Sequence, residues 1–216
     1  MVQELRDSKD NEVYDHFSSY IIGITGSIGS GKTTVAKLFK KHDYNKIDAD
    51  EIGHKIIRKN SAAYKKIIKK FGSKISDKSK NIDRTRLGDL VFGNVKKLKK
   101  LNSILHPLII KEIKIQIKKI KDKCQDETKI VIDAPLLLET KTKNFVDKII
   151  VVKCDKKNIF KRLSKKYPKE KIERILKSQM PLNKKLKFAD FVIDNNKDVG
   201  NLEKEVDKII VRLSHK

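Results

Sequence analysis

"ITGSIGSGKTT", Ile24 to Thr34, runs from an apolar strand end through a glycine-rich turn to a lysine and two hydroxyls. Gly26, Gly31, Lys32 and Thr33 satisfy G-x-x-x-x-G-K-[ST], the pattern of a phosphate-binding loop. Glycines let the backbone turn successive N–H groups toward a β-phosphate. The helix that follows adds its positive end at the same point. A lysine at this spacing bridges the β- and γ-phosphates, and the next hydroxyl is offered to Mg²⁺. Gly29, Ser30, Gly31, Lys32, Thr33 and Thr34 are therefore expected to hold ATP, with Lys32 catalytic and Thr33 on the metal.

The surroundings agree with that reading. "YIIGIT" (Tyr20 to Thr25) is a β-branched apolar run of the buried parallel type. "TTVAKLFKKH" then places Val35, Leu38 and Phe39 at helical spacing. Further short apolar runs follow in "YNKIDAD", "KIVIDAP", "DKIIVVKC" and "DFVIDN". Strands alternating with helical patterns predict an α/β fold, a five-stranded parallel sheet flanked by helices with right-handed crossovers. Asp50 to Lys123 is helical in period and reads as an insert, in which Pro107 is expected to break or restart the helix. A basic helical pair follows around Tyr167-Pro168. The last helix should bury Val199, Leu202, Val206, Ile209, Ile210 and Leu213 along one face.

The 216 residues, 38% of them hydrophobic, suit one globular domain with a full core. No stretch approaches the roughly 18 apolar residues of a membrane helix. Residues 1–20 lack the apolar centre of a secretion signal and carry the wrong charge for an organelle transit peptide. A cytoplasmic protein is expected. Cys124 and Cys154 show no metal or redox spacing and read as ordinary thiols. The 52 basic and 28 acidic residues give a net charge of +24. Such a charge suits a nucleic-acid binder, but the lysines are dispersed in pairs along amphipathic segments and rarely alternate with aromatics. They read as solvated helix faces, with no nucleic acid as partner.

"NKID" (Asn45 to Asp48) and "DEIG" (Asp50 to Gly53) imitate GTPase motifs. They abut each other in inverted order just after the first helix, so both are taken as coincidence. Small size, one phosphate loop, a helical insert and a late basic segment describe a kinase like those of nucleoside monophosphates. In such enzymes the insert holds the acceptor and a mobile arginine-bearing lid covers the transferring phosphate.

Beyond the loop, "IDADEIGHKI", "DRTRLGDLVF", "LNSILHPLI", "VIDAPLLLE", "ERILKSQM" and "KFADFVIDNN" follow in that order. With them the chain resembles the dephospho-CoA kinase family from about Ile21 to Leu213. The resemblance implies ATP-dependent phosphorylation of the ribose 3′-hydroxyl of dephospho-CoA, with Mg²⁺. It implies an N-terminal extension at 1–20, a nucleotide-binding core at 21–50, 124–154 and 187–216, a helical CoA-binding insert at 51–123, and a lid at 155–186. It makes Asp50 the general base and Arg162 the lid arginine, although an aspartate in a strand-to-helix turn also suits a helix cap. It places Arg84, His106 and Pro135 with Asp50 at the acceptor, where His54 is also expected. Asp133, at the end of a central strand where phosphate-loop enzymes often carry an acid, is expected beside Thr33 at the metal. His54 and Lys166 stand where the family often has arginines. The alternative is a related nucleoside or nucleotide kinase. A monomer or weak oligomer is expected.

Overall fold

The computed structural model describes residues 20–124 and 128–214. Of the extension at 1–20, only Tyr20 falls within them, and it opens the first strand.

β1 (Tyr20–Gly26) is followed by α1 (Lys32–Lys41), β2 (Asn45–Asp48) and four insert helices. These are α2 (Ala49–Ile56), α3 (Ala62–Phe71), α4 (Arg84–Phe92) and α5 (Val95–Lys123). β3 (Lys129–Asp133) and β4 (Lys148–Lys153) come next, then α6 (Lys156–Leu163), α7 (Lys169–Ser178), α8 (Leu182–Leu186), β5 (Phe191–Asp194) and α9 (Val199–Ser214). All strand pairs are parallel, in the order β2-β3-β1-β4-β5. The chain leaves central β1 first toward one side of the sheet and later toward the other. A crevice therefore opens at the carboxyl end of β1, where the phosphate loop lies.

Alternation along each strand sends side chains to two cores. Ile22, Ile24, Val131, Ile150 and Val152 face α1 and α9 on one side of the sheet. Ile21, Ile130 and Ile132 face α2 and the second half of α5 on the other. The insert has a third core around Ile67, Leu87, Val91 and Leu101. A fourth, small one joins Cys154, Ile159 and Ile172 beneath α6 and α7. No helix among the described residues is long and apolar enough to cross a membrane.

Two expectations are corrected. Pro107 does not break its helix: α5 runs unbroken through it. The residues before it, Leu101, Ile104 and Leu105, pack in the insert core, while Ile109, Ile113 and Ile117 after it pack under the sheet. Anchorage at both ends outweighs one lost backbone hydrogen bond. Val199, expected in the apolar face of α9, is exposed, whereas Leu202, Val206 and Ile209 are buried. It is the first residue of the helix and lies before the stretch that meets the sheet.

Candidate active site

The loop takes the form its glycines allow. Gly29 has φ 73° and Gly31 has φ 94°, in the left-handed region where a side chain is strained. A Cβ on Gly31 would collide with the amide of Asn195. Gly31 leads into α1, so the first amides of that helix face the crevice.

Lys32 is buried and its Nζ donates to the Ser27 carbonyl at 2.9 Å. Burial pushes its pKa down, opposed by the carboxylates of Asp133 and Asp50. Thr33 donates its hydroxyl to Asp133 Oδ2 at 2.7 Å. Asp133 ends β3 in register with Asp48 at the end of β2. Burial raises the pKa of Asp133, while the Thr33 hydroxyl and Lys32 oppose the rise.

The two acids of D-A-D divide the work. Asp48 caps α2, accepting from the Glu51 amide at 3.0 Å, and pairs with Lys46 at 2.8 Å. Burial alone would raise its pKa, but those bonds hold it below the usual carboxylate range. The cap is thus Asp48, which leaves Asp50, in the first turn of the helix, free to face the crevice. Protein packed around Asp50 raises its pKa although solvent reaches it from the cleft, and Lys32 opposes the rise.

A cleft of about 620 Å³ brings together Gly29, Lys32, Thr33, Asp50, His54, Arg84, His106 and Pro135. Asp50, His54, His106 and Pro135 also line an adjoining, mostly apolar cavity of about 300 Å³. Asp50 therefore stands at the junction of a phosphate cleft and an apolar chamber.

The dephospho-CoA kinase family model matches residues 20–201. The dephospho-CoA kinase of Fusobacterium nucleatum is 42% identical over 193 residues, covering 88% of this chain and 97% of that one. That of Aquifex aeolicus is 39% identical over 198 residues, covering 89% and 97%. The chain belongs to the dephospho-CoA kinase family. Among solved structures, the dephospho-CoA kinase from Campylobacter jejuni superposes with a TM-score of 0.65 at 31% identity, covering 92% of this chain and 98% of that one. A shikimate kinase from Bacteroides thetaiotaomicron, at TM-score 0.52 and 14% identity over 91% of this chain and 99% of that one, shares the fold. The chain is thus an ATP-dependent kinase on a phosphate-loop fold.

Other residues of the kinase fall around this centre. The His54 pKa is lowered by burial and then by the Arg84 guanidinium, with Lys166 adding to the effect and Asp48 and Glu51 opposing it. His106 has a ring Nε2 shut off from solvent and without a hydrogen-bond partner among the described residues. Burial keeps its pKa low.

Arg162 does not line the cleft. Its guanidinium donates to the Asn195 carbonyl at 2.9 Å and the Gly29 carbonyl at 3.3 Å, braced against the phosphate loop. Sequence reasoning missed two partners of that loop. Asn195 donates to the Ser30 carbonyl at 2.8 Å, and Gln179 accepts from the Ile28 amide at 3.0 Å. Both lie in strings that carry the family resemblance, "KSQM" and "VIDNN", but nothing in their spacing singles them out.

Proposed function

We propose that the kinase transfers the γ-phosphate of ATP to the ribose 3′-hydroxyl of dephospho-CoA, giving CoA and ADP, the final step of coenzyme A biosynthesis. The observation that carries this reading is Asp50, set where the cleft lined by Lys32 and Thr33 meets the apolar cavity of about 300 Å³. A sugar hydroxyl presented at that junction has a carboxylate on one side and the phosphate loop on the other, with apolar room behind for the rest of the carrier.

In this mechanism Asp50 orients the hydroxyl and takes its proton as the new O–P bond forms and the bond from the γ-phosphorus to the β-bridging oxygen breaks. Lys32 follows the charge that moves onto the β/γ oxygens. Its lowered pKa reflects an ammonium already stripped of water, a state in which a phosphate partner is worth more. The amides from Gly29 to Thr34 cradle the phosphates. Arg162 steadies the loop through the Gly29 and Asn195 carbonyls; as the lid arginine it would have to leave them to grip the transferring group with two donors. His54, Arg84, His106 and Pro135 form the acceptor side.

Thr33 and Asp133 would hold Mg²⁺, whose chemistry there would be to neutralise phosphate charge. The oxygen pair of Thr33 and Asp133, 2.7 Å apart, suits a hard cation. No group of three or more His, Cys, Asp or Glu side chains gathers for a metal among the described residues.

The reading takes α2 to α5 as the acceptor domain and α6 to α8 as the lid, in a cytoplasmic monomer or weak oligomer without nucleic acid as partner. Coupled ADP release with ATP, Mg²⁺ and a panel of dephospho-CoA, AMP, uridine and shikimate tests it. Dephospho-CoA is expected to lead in kcat/KM by at least about two orders of magnitude. A lead for any other acceptor would overturn the substrate assignment.

A further inference from the structure

We propose that Lys185 is a positioning residue: its buried ammonium clamps the turn from Pro135 to Glu139 and so sets the wall against which the acceptor is presented to Asp50. The proposal rests on the acceptor-side reading above.

Lys185 lies in "LNKKLK", which reads as a solvated lysine run, yet it is 0% exposed. An ammonium has three donors, and all three are engaged here. Lys185 Nζ donates to the Pro135 carbonyl at 2.6 Å, to Thr25 Oγ1 at 3.3 Å and to Glu139 Oε2 at 3.4 Å, with Glu139 Oε1 3.1 Å away in the ion pair. No hydrogen is left for a substrate, so the residue acts through what it holds.

What it holds is the frame of the site. Thr25 immediately precedes the phosphate loop and itself donates to the Pro135 carbonyl at 3.1 Å. Pro135 lines both the phosphate cleft and the apolar cavity, and Glu139 lines the cleft. Glu139 also accepts from the Met180 amide at 2.8 Å, and the preceding residue, Gln179, holds the Ile28 amide of the loop. The stretch from Gln179 to Lys185 is thus sewn at one end to the crown of the phosphate loop and at the other to the acceptor wall.

A buried ion pair is a poor way to gain stability but a specific way to fix geometry, because its bonds tolerate little displacement. Glu139 offsets the burial that lowers the Lys185 pKa. It also offsets the repulsion between Lys185 and Lys32.

The full chain is tested as wild type, Lys185→Met, Glu139→Gln and the double variant. Steady-state kinetics with ATP and dephospho-CoA are read beside ADP affinity by calorimetry and thermal midpoints. Wild-type turnover of dephospho-CoA comes first and tests the underlying reading separately; its absence overturns both. In Lys185→Met, kcat/KM for dephospho-CoA is expected to fall about 100-fold, the effect of misplacing reactants by an ångström, while ADP affinity holds.

The double variant should lose no more than Lys185→Met alone, because the two residues act as one unit. Should Lys185→Met fail to fold, Glu139→Gln carries the same split between acceptor turnover and ADP affinity. The proposal is overturned by unchanged kcat/KM, by ADP affinity falling in step with it, or by losses that simply add.

Discussion

Protein packed around Asp50 and the Lys32 ammonium pull its carboxyl in opposite directions, and the packing wins, leaving its pKa raised although the residue is open to the cleft. As the proposed base, Asp50 works only when ionised, so turnover should fall as pH drops through that raised value, with an acid limb above the ordinary aspartate range. Asp50→Asn is expected to lose kcat by about 10²- to 10⁴-fold, to lose that limb, and to keep ADP affinity. Linkage gives a second readout. A group whose pKa is raised on folding stabilises the fold at low pH, and that contribution is lost as pH rises through the folded value. At neutral pH the ionised carboxylate therefore works against the fold, and the Asn variant should melt no lower than wild type. Asp133 accepts the Thr33 hydroxyl at 2.7 Å, and the proposed metal role rests on that pair. Asp133→Asn should raise the Mg²⁺ concentration for half-maximal rate by about tenfold or more, read by metal titration at saturating ATP.

Helix α5 links the insert core to the sheet core, and Pro107 lies where its packing passes from one to the other. Since the helix continues through it, the proline contributes only a missing donor and a crowded ring. Pro107→Ala should raise the unfolding free energy by about 1–3 kcal/mol in urea melts. A drop would mean that the ring itself carries packing. At α1 the constraint runs the other way. Gly31 combines φ 94° with an Asn195 amide where a Cβ would go. Gly31→Ala is expected to disrupt the loop and abolish ADP binding in calorimetry.

The chain carries +24 charges, and several of its ion pairs, such as Lys41–Glu203 and Lys208–Glu205, are open to solvent. Exposed pairs contribute about 0–1 kcal/mol each, too little to offset repulsion spread over so many lysines. Raising salt from about 0.05 to about 0.5 M shortens the screening length severalfold. The thermal midpoint should therefore rise with NaCl in a scanning melt. The same screening weakens the attraction of a basic surface for polyanions, so KM for dephospho-CoA should rise in parallel.

The phosphate loop and the strand run before it were readable in the chain because their meaning is local. Glycine, lysine and hydroxyl at fixed spacing carry their conformation and chemistry with them, and continuous β-branched runs mark buried parallel strands. Local pattern could not choose between Asp48 and Asp50 as cap, since both suit it; the start of α2 at Ala49 decided that. Pro107 misled because its local effect is real but smaller than the packing on either side. Lys185 and Asn195 were illegible for a stronger reason. Lys185 meets Thr25 across 160 residues and Asn195 meets Ser30 across 165. A lysine in a lysine run becomes a buried clamp only when parallel crossovers bring α8 beneath β1. Spacing along a chain encodes period and turn, whereas contacts this distant exist only once the sheet order is set.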